Sequence, residues 1–370
     1  MSDIAAPAAP DARAAAAAPD ARLPWRASSA WQAPSAWSAR RVLQVWLAMV
    51  WLLDAALQFQ PYMFSPAFVT QVVKPAAAGN PAVVSAPILW SAHLMAGHIV
   101  LCNTLFALTQ LAIAVGLLFR RTTKLALAAS IAWSVSVWWF GEGLGGILTG
   151  SSPLAGFPGA VLLHALIAIL LWPARSSASQ PASAAAAGPF GATGANFLWL
   201  ALWGGFAHYL LLPANRASDA ITHLLSAADG QPKWVAATMT VFAHAAGHRG
   251  TQISVGLAVV CAGVALGIFG RRARRPVLVI AAGLGLLFWI AEGFGGILTG
   301  QGTDPNTGPL LILLAACYWP ARASRRSAAP VSHPAPFRKI LKIFHPERTV
   351  GDCAKSIGLP GAGRIDGPGS

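Results

Sequence analysis

Apolar residues along this chain gather in long blocks separated by short polar stretches. Blocks at 42–58, 125–140, 157–173, 195–213, 250–269, 276–291 and 308–320, with an unusually long one across 88–119, approach the roughly 20 residues that carry a helix across a bilayer. Several fall a little short, so tilt or end residues must complete the crossing. The expected fold is an all-α membrane protein with eight transmembrane helices.

The blocks repeat. Residues 139–150 read WFGEGLGGILTG and residues 289–300 read WIAEGFGGILTG, and the blocks that follow end in LLWPAR (170–175) and CYWPAR (317–322). AHLMAGH (92–98) followed by GLLFRR (116–121) likewise resembles AHAAGH (243–248) followed by GIFGRR (267–272). An offset near 150 residues and an even number of spans per unit predict two parallel four-helix repeats, related by an axis along the membrane normal. The first covers 42–173 and the second 195–320. A flexible Ala, Ser and Gly rich linker is expected over 174–194, and disordered tails over 1–41 and 321–370. Within the last tail, FRKILKIF (337–344) suits an anionic membrane surface.

Composition agrees with a lipid environment: mean hydropathy is +0.57 and only 10% of residues are charged. The net charge of +14 taken alone suggests nucleic acid, but the basic residues are placed by topology. With the N-terminus inside, all but Lys74, Arg216, Lys233 and Arg249 of the 26 lysines and arginines fall on one side, as the positive-inside rule requires. Both termini are therefore expected in the cytoplasm of a cell with a bacterial-type inner membrane, with the lipid bilayer as the main partner and no nucleic acid. A long polar stretch before the first block, with no A-x-A-like site after it, argues against a cleaved signal. Cys102, Cys261, Cys317 and Cys353 show no paired spacing, and the first three read as small hydrophobes.

Ionisable residues in or beside apolar blocks are costly, which makes each a candidate for function. The candidates are Asp54 with Gln58 one turn later, His93, His98 and Glu142 in the first half, and His208, His244, His248 and Glu292 in the second. The topology places them toward the outer side. His164, deeper in its block, is expected to bond a neighbouring helix or one of the carboxylates. His93, His98, His244 and His248 admit a transition metal or haem. His244 and His248 share a helix face, whereas His93 and His98, five apart, lie about 140° around an unbroken helix. The duplicated glutamates precede glycine runs, which suit a chemical site or a tight or re-entrant turn whose glutamate caps freed amides. Asp54 and Gln58 suit an ion, a polar solute or a quinone head group, and equally a hydrogen bond between helices. Position 206, which matches Asp54 in the second half, is phenylalanine. No nucleotide loop, zinc-hydrolase helix or covalent haem motif is present in the sequence.

The four-span unit, with Arg40 and Arg41 before its first span, a polar outer loop, a basic turn between spans two and three and a Gly-rich turn between spans three and four, resembles the DoxX-like superfamily of small membrane proteins. That resemblance implies membrane redox chemistry, including quinone-coupled thiosulfate oxidation, and transfers no catalytic residue to a position here. The alternatives are a small-solute or cation transporter or channel, and a non-catalytic assembly subunit that meets a protein partner on the outer side.

Overall fold

The computed structural model describes residues 36–174, 181–226 and 230–321, and every regular element among them is helical. Helix α1 (Ala36–Leu57) begins ahead of the apolar block at 42, so the last residues of the expected tail extend the helix instead. Two side chains hold this extension. Arg41 donates to the carbonyls of Leu117, at 2.8 Å, and Leu118, satisfying acceptors at the C-terminus of the neighbouring helix, and Arg40 donates to the Ala187 carbonyl.

That neighbour, α2 (Ala82–Leu118), has 37 residues and would rise about 55 Å if straight, well beyond a hydrocarbon core of roughly 30 Å. It bends at His98, whose φ of −140° and ψ of 37° leave the helical range. Pro87 lies inside its N-terminal part and has no N–H for the Val83 carbonyl one turn back. The Trp139 indole N–H fills that place at 3.3 Å, which links α2 to the end of α3 (Thr123–Phe140). After α4 (Ala160–Leu170) the chain enters α5 (Gly191–Leu210), the short α6 (Ala220–Ser226), α7 (Lys233–Ala246) and α8 (Gly250–Gly267). It finishes with α9 (Arg274–Ala291) and α10 (Thr307–Cys317). The break at Gly247, with φ of 48°, separates α7 from α8.

Among the described residues three helices, α2, α8 and α9, are long and apolar enough to cross a membrane. The blocks at 157–173 and 308–320 form helices of only 11 residues, α4 and α10, which rise about 16 Å and do not cross as helix alone. Both are apolar nearly all round and buried on nearly all sides, as a central helix must be. They pack on each other, with α3 against α4, α9 against α10, and α1 touching both. The main core closes around them through Leu47, Trp51, Leu163, Ile167 and Leu314. Trp199, Trp203, Phe206 and Phe288 continue it as a chain of rings with centroids 5.1–5.8 Å apart. A smaller cluster seats Met63, Phe68 and Val69, from the short helical turns over 61–77, on Val84, Ile88 and Met95 of α2.

The expected flexible linker is in large part packed. Ser183, Ala184, Ala185 and Ala187 are buried, the Ala185 N–H donates to the Cys317 carbonyl at 2.8 Å, and the Ala321 N–H donates to Ala182 at 2.8 Å. Small side chains let this backbone lie against the end of α10, and composition does not separate that role from flexibility. The segment 337–344, the rest of the C-terminal tail after 321, and the N-terminal residues before 36 lie outside the described residues.

Candidate functional site

The site is built on a turn that occurs twice. After α3, Gly143, Leu144, Gly145 and Gly146 have φ of 57°, 57°, 58° and 77°, and after α9, Gly293, Phe294, Gly295 and Gly296 have 59°, 58°, 66° and 67°. Four successive residues thus wind left-handed, which costs L-residues such as Leu144 and Phe294 about 1–2 kcal/mol each. Packing enforces the geometry: a Cβ on Gly145 would lie 1.7 Å from the Pro158 carbonyl oxygen, and one on Gly143 would lie 2.3 Å from that of Ala76. Both turns are tight, and both deliver a glutamate to the first turn of the short central helix that follows.

At Glu292 the capping reading holds. Its Oε2 accepts from the Thr307 N–H at 3.3 Å and its Oε1 from the Thr307 hydroxyl, at the N-terminus of α10. Glu142 lies beside the Val161 N–H at the start of α4 and over Gly159, but its Oε2 is enclosed without a hydrogen-bond partner. Burial pushes the Glu142 carboxyl above the usual glutamate range, and the nearby Asp304 adds to the shift while the Val161 N–H opposes it. Burial also raises Glu292, against its Thr307 hydrogen bonds.

Glu142 faces a cavity of about 450 Å³ among α1, α2 and α3. Its wall is aromatic and aliphatic, with Trp90, Leu94, Phe106, Trp133 and Phe140. Its polar end is made by Asp54, Gln58, Gln110, Glu142 and Asp304. Asp54 is 2%, Gln58 5% and Gln110 8% exposed, yet Asp54 Oδ1 and the Oε1 atoms of both glutamines have no partner. Such atoms cost free energy unless something enters to bond them. Trp90, Leu94, Leu105 and Phe140 also show large exposed surfaces on the outside of the bundle, so the cavity wall reaches the bundle's flank.

Asp54 is held by His164, whose Nε2 lies 3.2 Å from Asp54 Oδ2 on a bent approach. The His164 Nδ1 lies 3.1 Å from the Ala160 carbonyl oxygen, and the Trp51 ring covers the imidazole with centroids 4.3 Å apart. Trp51 is anchored in turn by its indole N–H, which donates to Ser130 Oγ at 3.0 Å. Gln58 ends α1, and its carbonyl accepts from Asn103 Nδ2 at 2.7 Å.

Beyond Glu142 lies a second, polar cavity of about 390 Å³, lined by Asn80, Thr149, Ser151, Asn306 and the glycines of the turn. Glu142 and Asp304 line both cavities, and neither lining contains Lys or Arg. Asp304 comes from the loop before α10. The Thr303 hydroxyl at 2.8 Å and the Asn306 N–H at 2.7 Å fix its carboxylate, and Gln60 Nε2 ties that loop to the end of α1 through the Gly302 carbonyl at 3.1 Å.

Of the residues singled out in the sequence, Asp54, Gln58 and Glu142 meet at one cavity, while Glu292 serves its own helix end. His93, His98, His208, His244 and His248 are exposed. His244 and His248 line a separate pocket of about 280 Å³ with Asp219. Among the described residues no three His, Cys, Asp or Glu side chains are grouped to hold a metal ion. The bend at His98 and the break at Gly247 leave His93, His98, His244 and His248 on outer surfaces rather than in the cavity with Asp54 and Glu142. His164, expected to bond a neighbouring helix or one of the carboxylates, lies against Asp54, whereas Gln110 and Asp304 line the cavity without having been among the sequence candidates. His164 and Gln110 carry a signal, a polar residue inside an apolar block; Asp304 carries none, because only the path of its loop brings it there.

No protein-family profile, curated protein or solved structure matches the chain.

Proposed function

We propose that this chain is a multi-pass inner-membrane protein of eight spans in two parallel four-helix repeats, DoxX-like in character, with both termini cytoplasmic. Its first repeat binds the head group of a lipid-soluble, quinone-class molecule drawn from the bilayer. The observation that carries this reading is the α1–α2–α3 cavity. Its volume lies within the range of small-molecule sites, its wall is aromatic and reaches the flank of the bundle, and its lining presents buried acceptors without partners. The duplicated glycine turn and the placement of the basic residues support the two-repeat, eight-span arrangement. In that frame the polar cavity is an outer vestibule. With two carboxylates and no Lys or Arg in its lining, it is unsuited to an anion such as thiosulfate.

The test is direct. Protein purified in mild detergent from bacterial membranes is extracted for quinones, and a short-chain quinol is titrated while tryptophan fluorescence is followed, since Trp51, Trp90 and Trp133 line the cavity. Co-purified quinone and saturable quenching that is lost when Ser136→Phe fills the cavity are expected. Absence of both, or quenching that is the same in Ser136→Phe, removes the reading. A cation route is the second reading, favoured by the presence of Glu142 and Asp304 in both cavity linings. Cation flux into proteoliposomes that is lost in Glu142→Gln and in Asp304→Asn, without any quinol quenching, selects it.

A further inference from the structure

A carbonyl oxygen only accepts hydrogen bonds, so the 3.1 Å contact with Ala160 places a hydrogen on Nδ1 of His164. A neutral ring then has a bare lone pair at Nε2. That nitrogen nevertheless lies 3.2 Å from Asp54 Oδ2, in a place where neither side chain is more than 3% exposed. Two lone pairs held there would repel with no water to separate them. One proton carried by the pair, as a carboxylic acid beside imidazole or as a carboxylate beside imidazolium, removes that repulsion. Either form leaves the pair electrically neutral, which burial demands. The second half of the sequence has no such pair: with Trp51 and Pro61 set against Trp203 and Pro213, Phe206 stands for Asp54, and with the two WPAR ends aligned Leu311 stands for His164. His164 Nδ1 is committed to Ala160, and His164 Nε2 lies against Asp54 Oδ2 on an approach too bent for a formed hydrogen bond. Asp54 Oδ1 is enclosed, unpartnered and on the cavity wall.

We propose that Asp54 and His164 form a proton-carrying pair that exchanges one proton with a ring hydroxyl of the cavity's occupant. This rests on the cavity being a ligand site and assigns its ligand to the hydroxyl-bearing, quinol or phenol, class. With the pair as carboxylate and imidazolium, the ligand hydroxyl donates to Oδ1. On transfer the ligand O–H bond breaks, its electron pair stays on the ligand oxygen, and an O–H bond forms at Oδ1; that proton then leaves to solvent by way of Glu142 and Asp304, which returns the pair to its neutral, one-proton form while His164 keeps its two protons. The other titratable groups lining the cavity are Glu142 from the end of α3, Asp304 from the loop before α10 and the Cys102 thiol from α2. Glu142 and Asp304 also line the polar cavity, so the proton's way out runs through acidic side chains rather than through the Nδ1 side, which Ala160 closes.

Two measurements test the pair and the ligand separately. Infrared difference spectra of ligand-free protein, recorded across pH in H₂O and D₂O, are expected to show a deuterium-sensitive carboxyl change that disappears in Asp54→Asn and is altered in His164→Gln. An Asp54 signal that titrates identically in His164→Gln overturns the pair. Calorimetric titration with a short-chain quinol in buffers of different ionisation enthalpy is then expected to show about one proton exchanged per ligand bound, and none in Asp54→Asn. The double variant Asp54→Leu/His164→Leu guards against misfolding, since replacing a whole buried pair with apolar groups is often tolerated; it too should exchange none. Equal proton exchange in wild type and Asp54→Asn, with binding intact, overturns the exchange. Absence of quinol binding in the wild type overturns both the ligand class and the exchange, while the infrared result still decides whether the pair shares its proton.

Discussion

Replacing Gly145 by alanine is the sharpest test of how the site is held. The residue has φ of +58°, which costs a non-glycine residue about 1–2 kcal/mol. The added Cβ would also lie 1.7 Å from the Pro158 carbonyl oxygen and 2.7 Å from the Gly159 nitrogen, both backbone atoms that cannot rotate away. Relieving that overlap adds the typical overpacking cost of about 1–3 kcal/mol, so Gly145→Ala should destabilise by about 2–5 kcal/mol. Two glycines of α9 serve as internal standards. Gly283 has nothing within 4 Å of its Cβ position, and Gly283→Ala should be neutral or stabilising by up to about 1 kcal/mol. At Gly285 the Cβ would meet the Gly308 carbonyl and the Leu311 Cβ, both at 3.1 Å, and the cost should fall between the other two. Unfolding by graded denaturing detergent, followed by tryptophan fluorescence, gives the three differences on one scale. The order Gly145 worst, Gly285 intermediate and Gly283 harmless is required. A Gly145→Ala protein within about 0.5 kcal/mol of wild type, the usual scatter of harmless substitutions, would refute the claim that the left-handed turn is enforced by packing.

Burial raises the Glu142 carboxyl above its unfolded value, so its contribution to stability is complete below the ordinary glutamate pKa and is lost as pH rises through the raised value. Stability should therefore decline with rising pH above the ordinary glutamate range in wild type and decline less in Glu142→Gln; parallel curves would dismiss the burial argument. Tyr209→Phe removes the 2.6 Å bond from the tyrosine hydroxyl to the Ile147 carbonyl but keeps the ring stacked on Phe157 at 3.9 Å, and should cost about 1 kcal/mol in the same unfolding assay. Phe206, fully buried among Trp203, Phe157 and Phe288, should cost about 3–5 kcal/mol as Phe206→Ala, and quinol binding in the first half should survive wherever the protein folds.

Period and chemistry of the apolar blocks were enough to read an all-helical chain and a duplicated glycine turn, because block length and glycine runs are local properties. Local reading also made Asp54, Gln58 and Glu142 candidates, since a polar residue inside an apolar block stands out without any knowledge of its neighbours. It failed where distance along the chain hides distance in space. Asp304, from the loop before α10, reaches a cavity built from α1, α2 and α3 because Gln60 ties that loop to the end of α1. The blocks at 157–173 and 308–320 look like full-length helices, yet each forms only an 11-residue central helix, with its remaining residues outside that helix. Spacing put His244 and His248 on one helix face and His93 and His98 apart, but which way a side chain faces beside a bend or break depends on packing. Sequence alone determined which residues are costly to bury and how many times the turn occurs. Tertiary structure decided which costly residues come together, because only packing brings α1 and α4 close enough to set His164 Nε2 3.2 Å from Asp54 Oδ2.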